Sequence, residues 1–173
     1  MLAYILAAAC HDLDHKGYSN VYLIETKDKL AIRYNDQSVL ESHHVATAFD
    51  ILSQNEYDIF AKLCKKDYKR IRKLMIGAIL ATDMAKHFDR LSIIKQRFLS
   101  EDLDPTKDDE KMLICEALFH FADISNPTKT FDLCEKWTEL LFVEFFEQGD
   151  SERSLGLPIS QFMDRSTTNI AKS

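Results

Sequence analysis

Asp67-Tyr68-Lys69-Arg70-Ile71-Arg72-Lys73-Leu74-Met75-Ile76-Gly77-Ala78-Ile79-Leu80-Ala81-Thr82-Asp83 decides the fold class. Ile71, Leu74, Met75, Ala78, Ile79 and Thr82 recur at threes and fours, the spacing of one helix face and not of a strand. The pattern persists to about Leu99, so a helix from Asp67 to about Leu99 is expected, bent or broken near Ala81 to His87. Thr82 and Asp83 close the buried stripe, where a carboxylate needs a partner. His87, beside Lys86 and Asp89, is expected at the surface. With only 4 Gly and 3 Pro in 173 residues, turns are scarce and long helices are favoured, so the chain is expected to be all-α. At 46% hydrophobic, residues 1–173 suit one domain.

Before that helix, Met1 to Ala9 is almost wholly apolar. It is too short to span a bilayer, which takes about 20 residues, and it lacks the basic region of a signal peptide. A core helix is expected, cut off at its front. Cys10-His11-Asp12-Leu13-Asp14-His15 follows, with two imidazoles and two carboxylates in close succession. If the helix continues through it, His11 and His15 share a face. Those donors suit zinc, manganese, iron or magnesium. Ordinary hydrogen bonding after a buried helix is the alternative. Gly17 is expected in a turn, Val21 to Thr26 in a short helix, and Asp36 or Ser38 at the cap of a helix carrying Glu41, His43 and His44. Glu41 with its two histidines fits either a support for metal-held water or a polar seam between helices.

Beyond Leu99, Ser100 to Asp109 reads as a charged loop, and Lys111 to Ala122 as a helix ended by Pro127. Asp123 then lies at a helix C-terminus, where the macrodipole disfavours an anion and a cation would explain it. The next helix, about Phe131 to Gln148, is closed by Gly149 and carries the aromatic residues Trp137, Phe142, Phe145 and Phe146. That stripe is expected in the core, although Phe145 and Phe162 could wall a slot for a flat ring.

A net charge of −6 and the absence of a basic block interleaved with aromatics disfavour nucleic acid as a partner. The basic run Lys65 to Lys73 reads as a solvated helix start. Cys10, Cys64, Cys115 and Cys134 are widely spaced without a CxxC pair, which points to a reducing, cytoplasmic setting.

Five segments resemble, in order and spacing, the class I cyclic-nucleotide phosphodiesterases: His11 to Asn20, Tyr34 to His44, Ala81 to Met84, Ala122 to Lys129, and Glu144 to Arg153. The resemblance implies a compact, multi-helix, HD-type catalytic domain with two divalent metals, zinc at the first site and magnesium or manganese at the second. His11, Asp12 and Asp123 would bind the first metal, with Asp12 bridging to the second. His15, Glu41 and Thr82 would hold waters around the second metal. Asn126 would meet the purine, and Met84, Phe145 and Phe162 would line its pocket. The implied reaction is hydrolysis of cAMP or cGMP to the 5′-monophosphate in signal transduction, with two cations neutralising the attacked phosphate.

The family's His-Asn-x-x-His segment and its purine-clamping glutamine are not in this sequence, so the expectation is a catalytic domain truncated at both termini, with weak activity or none. A longer parent is expected to allow a homodimer, regulatory domains or membrane association. Two other readings stay open: another HD-type phosphohydrolase, and a nonenzymatic module that binds metal, nucleotide or a partner domain.

Overall fold

The computed structural model describes residues 1–100 and 103–170. Among these residues eight α-helices run in the order α1 (Leu2–Cys10), α2 (Asn20–Glu25), α3 (Lys29–Tyr34), α4 (Val39–Leu52), α5 (Lys65–Leu80), α6 (His87–Leu99), α7 (Asp108–Asp123) and α8 (Phe131–Ser154). There is no strand among the described residues, in accord with the all-α expectation. Glu101 and Asp102, in the expected Ser100 to Asp109 loop, lie outside the described residues. The following helix starts at Asp108, earlier than expected, with Asp108, Asp109 and Glu110 in its first turn, where acidic side chains suit the helix dipole.

The chain divides into two compact units, Met1–Asp14 with Leu40–Ile124, and His15–Val39 with Ser125–Ser173. In the first, α1 lies along α5, and α5 along α7. Ala3 and Ala7, four apart on α1, are small enough to let the helices approach, and Met75, Ala78 and Ile79 of α5 are fully buried against them. Phe49 and Val45 of α4 and Phe60 complete the cluster. Each large side chain buried there contributes about 1.5–3 kcal/mol. Only one face of α1 is covered, for Leu2 and Ile5 are exposed.

The long helix expected from Asp67 is two helices joined through a short 3-10 turn, Met84–Lys86. The side chains at the break explain it. Thr82 Oγ1 donates to the Ile79 carbonyl at 2.8 Å, and Asp83 Oδ1 accepts from the Ala85 N–H at 3.0 Å, so both compete with the helical ladder. The buried Asp83 also has Lys86 Nζ at 3.6 Å.

In the second unit, Ser19 caps α2, and Asp28 caps α3, a helix the apolar periodicity did not signal. Gly17 turns at φ +74°, as its position suggested. The aromatic helix runs past Gly149 to Ser154, a correction to the expected stop. Gly149 serves close packing instead: a Cβ there would lie 1.9 Å from the Met163 carbonyl oxygen. The aromatic stripe is also less central than expected, since Phe142 is buried whereas Trp137 is 62% exposed.

Candidate metal centre

α1 stops at Cys10, and His11 to Asp14 form a turn closed by the Leu13 N–H on the Cys10 carbonyl at 3.1 Å. Asp14 ends that turn at φ +62°, a left-handed geometry that aspartate tolerates better than most residues. The expectation that His11 and His15 share a helix face is therefore corrected. His15 belongs to the second unit, where its Nδ1 accepts from the Gly17 N–H at 3.0 Å.

The turn frees His11 to face two carboxylates. Its Nδ1–H donates to the Ala8 carbonyl at 2.9 Å, which orients the ring. Its Nε2 stands 3.1 Å from Asp12 Oδ2 and 3.2 Å from Asp123 Oδ1. Asp123 is the last residue of α7. Two helix C-termini with their partial negative charge thus join two carboxylates around one nitrogen. Hydrogen bonds that the ring donates to Asp12 first, and then to Asp123, push the His11 pKa up to about 11.

By type, one imidazole and two carboxylates suit a small divalent cation. In a tetrahedral zinc site with bonds of about 2.0–2.1 Å, neighbouring donors are about 3.3 Å apart. The two nitrogen–oxygen separations at His11 are close to that edge. Among the described residues no three such side chains are laid out as a finished metal cage, because here the carboxylates close directly on the ring.

The remaining residues singled out in the sequence are distributed as follows. Glu41 is half-buried in the first turn of α4, and Thr82 is 9% exposed after α5, both in the first unit. A hydroxyl that donates, as Thr82 does to Ile79, can still accept from water. Met84, also in the first unit, is 56% exposed. Asn126, Phe145 and Phe162 belong to the second. Asn126 Oδ1 is buried with no hydrogen-bond partner among the described residues. Phe145 packs edge-on to Phe142 with ring centroids 5.8 Å apart, and Phe162, at φ +67°, is 43% exposed.

Two histidine arrangements escaped the sequence reading. His87 is not free surface: its Nδ1 is 2.8 Å from Nε2 of the buried His120, so the pair shares one proton across α6 and α7. Burial, and next the neighbouring His87, lower the His120 pKa. His44, 1% exposed, donates from Nδ1 to the Leu13 carbonyl at 2.7 Å. The only signal in the sequence was the spacing of His44 three residues after Glu41. Its backbone acceptor carried no signal at all.

The whole chain, residues 1–173, matches the 3'5'-cyclic nucleotide phosphodiesterase family. It is 41% identical to the probable 3',5'-cyclic-AMP phosphodiesterase pde-4 of Caenorhabditis elegans, with 100% of this chain and 27% of that protein aligned. It is 44% identical to the cGMP-inhibited 3',5'-cyclic phosphodiesterase 3A of Rattus norvegicus and to that of Mus musculus, with 99% of this chain and 15% of each relative aligned. The chain thus spans between 15% and 27% of the length of these relatives. A match over every residue, on top of an imidazole held between Asp12 and Asp123, means that the chain belongs to the 3'5'-cyclic nucleotide phosphodiesterase family.

Proposed function

We propose that the protein hydrolyses the 3′ phosphoester of a 3',5'-cyclic nucleotide, cAMP or cGMP, to the 5′-monophosphate with the aid of two divalent cations. One observation carries the reading: His11 Nε2 lies within 3.2 Å of carboxylate oxygens of both Asp12 and Asp123. Membership of the family implies divalent metals in general. The finer assignment is that His11, Asp12 and Asp123 hold zinc, with Asp12 shared with a magnesium or manganese ion. When bound, two such cations supply Lewis-acid charge to the phosphate and make water more acidic.

The rest is work for the chain's own groups. The Ala8 carbonyl holds one His11 proton on Nδ1, so Nε2 is the nitrogen that would face a metal once it gives up its own proton. Thr82, Glu41 and His15 are assigned to hold water near the second cation. Asn126, through its buried amide oxygen, is assigned to meet the base, with Met84, Phe145 and Phe162 lining its pocket. Asn126-Pro127 leans slightly toward cAMP. Four free thiols suit a cytoplasmic setting, and no helix among the described residues is long and apolar enough to cross a membrane. A homodimer and regulatory domains are part of the same proposal.

The test is hydrolysis of cAMP and cGMP by the purified protein with Zn²⁺ and Mn²⁺, followed by phosphorus NMR, beside Asp12→Asn and Asp123→Asn. Weak turnover to the 5′-monophosphate is expected, dropping by about 10²-fold or more in both variants, as for loss of metal charge at phosphorus. Undiminished turnover in either variant, or activity confined to noncyclic phosphate esters, would overturn the reading.

A further inference from the structure

We propose that His43 and His44 are positioning residues that hold the Asp12-Leu13-Asp14 turn so that the Asp12 carboxylate faces His11. The inference rests on the reading of His11, Asp12 and Asp123 as a cation site. It assigns neither histidine to the metal.

The turn needs such support. Asp12 has a side chain 64% exposed, and α1 has already ended. Asp14 is in a backbone geometry that few non-glycine residues adopt. An exposed carboxylate on a short turn samples several rotamers, whereas a cation demands its donors within a few tenths of an ångström.

Two adjacent residues of α4 restrain the turn from different directions, since neighbours on a helix point about 100° apart. His44, buried, donates to the Leu13 carbonyl at 2.7 Å. Its other nitrogen, Nε2, lies 3.9 Å from Asp12 Oδ1, too far for a hydrogen bond but close enough to back that oxygen. His43 Nε2 bonds Asp14 Oδ2 at 2.7 Å. Asp12 is thus followed by a pinned carbonyl and a pinned carboxylate, while its Oδ2 meets His11. The main anchor is the Leu13 carbonyl, because that bond is short and its donor is shielded from water.

Amide hydrogen exchange at Leu13 and Asp14 in the metal-free protein, together with Mn²⁺ binding followed by paramagnetic resonance, tests this. His44→Ala should speed exchange at those amides and weaken Mn²⁺ binding about 10- to 100-fold, the loss typical when a partner behind a metal ligand is removed. His44→Asn should restore most of both, because its amide nitrogen falls near Nδ1 and can still donate to Leu13. His43→Ala should give a smaller loss in the same direction. Ile79→Val, a purely structural control, should lower the melting midpoint with Mn²⁺ affinity unchanged.

Wild-type exchange at Leu13 in His44→Ala, or unaltered Mn²⁺ affinity, would overturn the positioning role. So would an Asn variant that rescues neither. If Mn²⁺ binding instead survives Asp12→Asn and Asp123→Asn, the cation site itself is wrong, a failure separate from that of the histidine pair.

Discussion

The two units of this chain solve the problem of burial differently. The first unit closes on a contiguous apolar cluster, with Met75, Ala78 and Ile79 wholly out of solvent. The same unit also carries buried ion-pair partners: Glu116 with Arg90 at 2.8 Å, and Glu110 with Arg97. In the second unit the residues hidden most completely on α8 are Gln148 and Glu152, each 2% exposed. Gln148 exchanges hydrogen bonds with Ser19, accepting from its N–H at 2.8 Å and donating to its Oγ at 3.0 Å, and donates to Glu152 at 2.8 Å. Glu152 in turn accepts from the Ser160 N–H and hydroxyl, both at 2.7 Å. Apolar packing tolerates small changes of shape at a graded cost. A buried polar network fixes one arrangement and is costly when half satisfied. The difference teaches that the apolar cluster of the first unit is held chiefly by volume, and the network on α8 of the second chiefly by direction.

The largest break should come from volume in the first unit. Met75→Ala removes a fully buried side chain, and urea unfolding should show a loss of about 2–5 kcal/mol. A loss below about 1 kcal/mol would mean that the cluster collapses around the gap and is less tightly packed than described. Next in size is Gly149→Ala in the second unit, at about 3 kcal/mol, since the new methyl meets a backbone carbonyl that cannot swing aside. Gly77→Ala gives the matched contrast in the first unit. There the obstacle is the Glu116 side-chain oxygen, 2.3 Å from a new Cβ, which can yield at the cost of its bond to Arg90.

Direction is probed by Glu152→Gln, which conserves volume but turns one acceptor into a donor facing Ser160. A loss of about 1.5–3 kcal/mol is expected, the range for hydrogen bonds to a charged group. A neutral result would erase the contrast between the units. Gly77→Ala should follow at about 1 kcal/mol, and if it equals Gly149→Ala the distinction between side-chain and backbone obstacles fails. The smallest effect concerns Asp164, directly after Met163. The Ser166 hydroxyl and N–H, with Arg153 behind them, lower its pKa to about 2. Its folded pKa being depressed, its stabilisation is complete above the ordinary carboxylate range near pH 4. It is lost as pH falls through about 2. Carbon-detected NMR of the Asp164 carboxyl checks this, and a midpoint near 4 would contradict it.

How far the sequence reached differs between fold and site. The helical period of Ile71, Leu74, Met75, Ala78 and Ile79, with so few Gly and Pro, was enough for the fold class, because one-faced burial imposes that period whatever lies opposite. The break before His87 was also visible, since Thr82 and Asp83 carry their own means of interrupting a helix. α3 was not, because its caps at Asp28 and Asn35 are local bonds and not a hydrophobic pattern. Gly149 was misread for a related reason. A glycine is equally compatible with a helix end and with a tight crossing, and only the Met163 carbonyl beside it distinguishes them.

Residue types and order alone placed His11, Asp12 and Asp123 under suspicion as partners of a cation and tied the chain to its family. Tertiary structure alone decided that α1 ends at Cys10, that His11 turns between Asp12 and Asp123, that His15 goes to the other unit, and that His44 binds the Leu13 carbonyl. The physical reason is that composition and period are carried by side chains along one element. A meeting of Asp12 with Asp123, or of a ring with a backbone oxygen, depends on where separate elements end and how they pack.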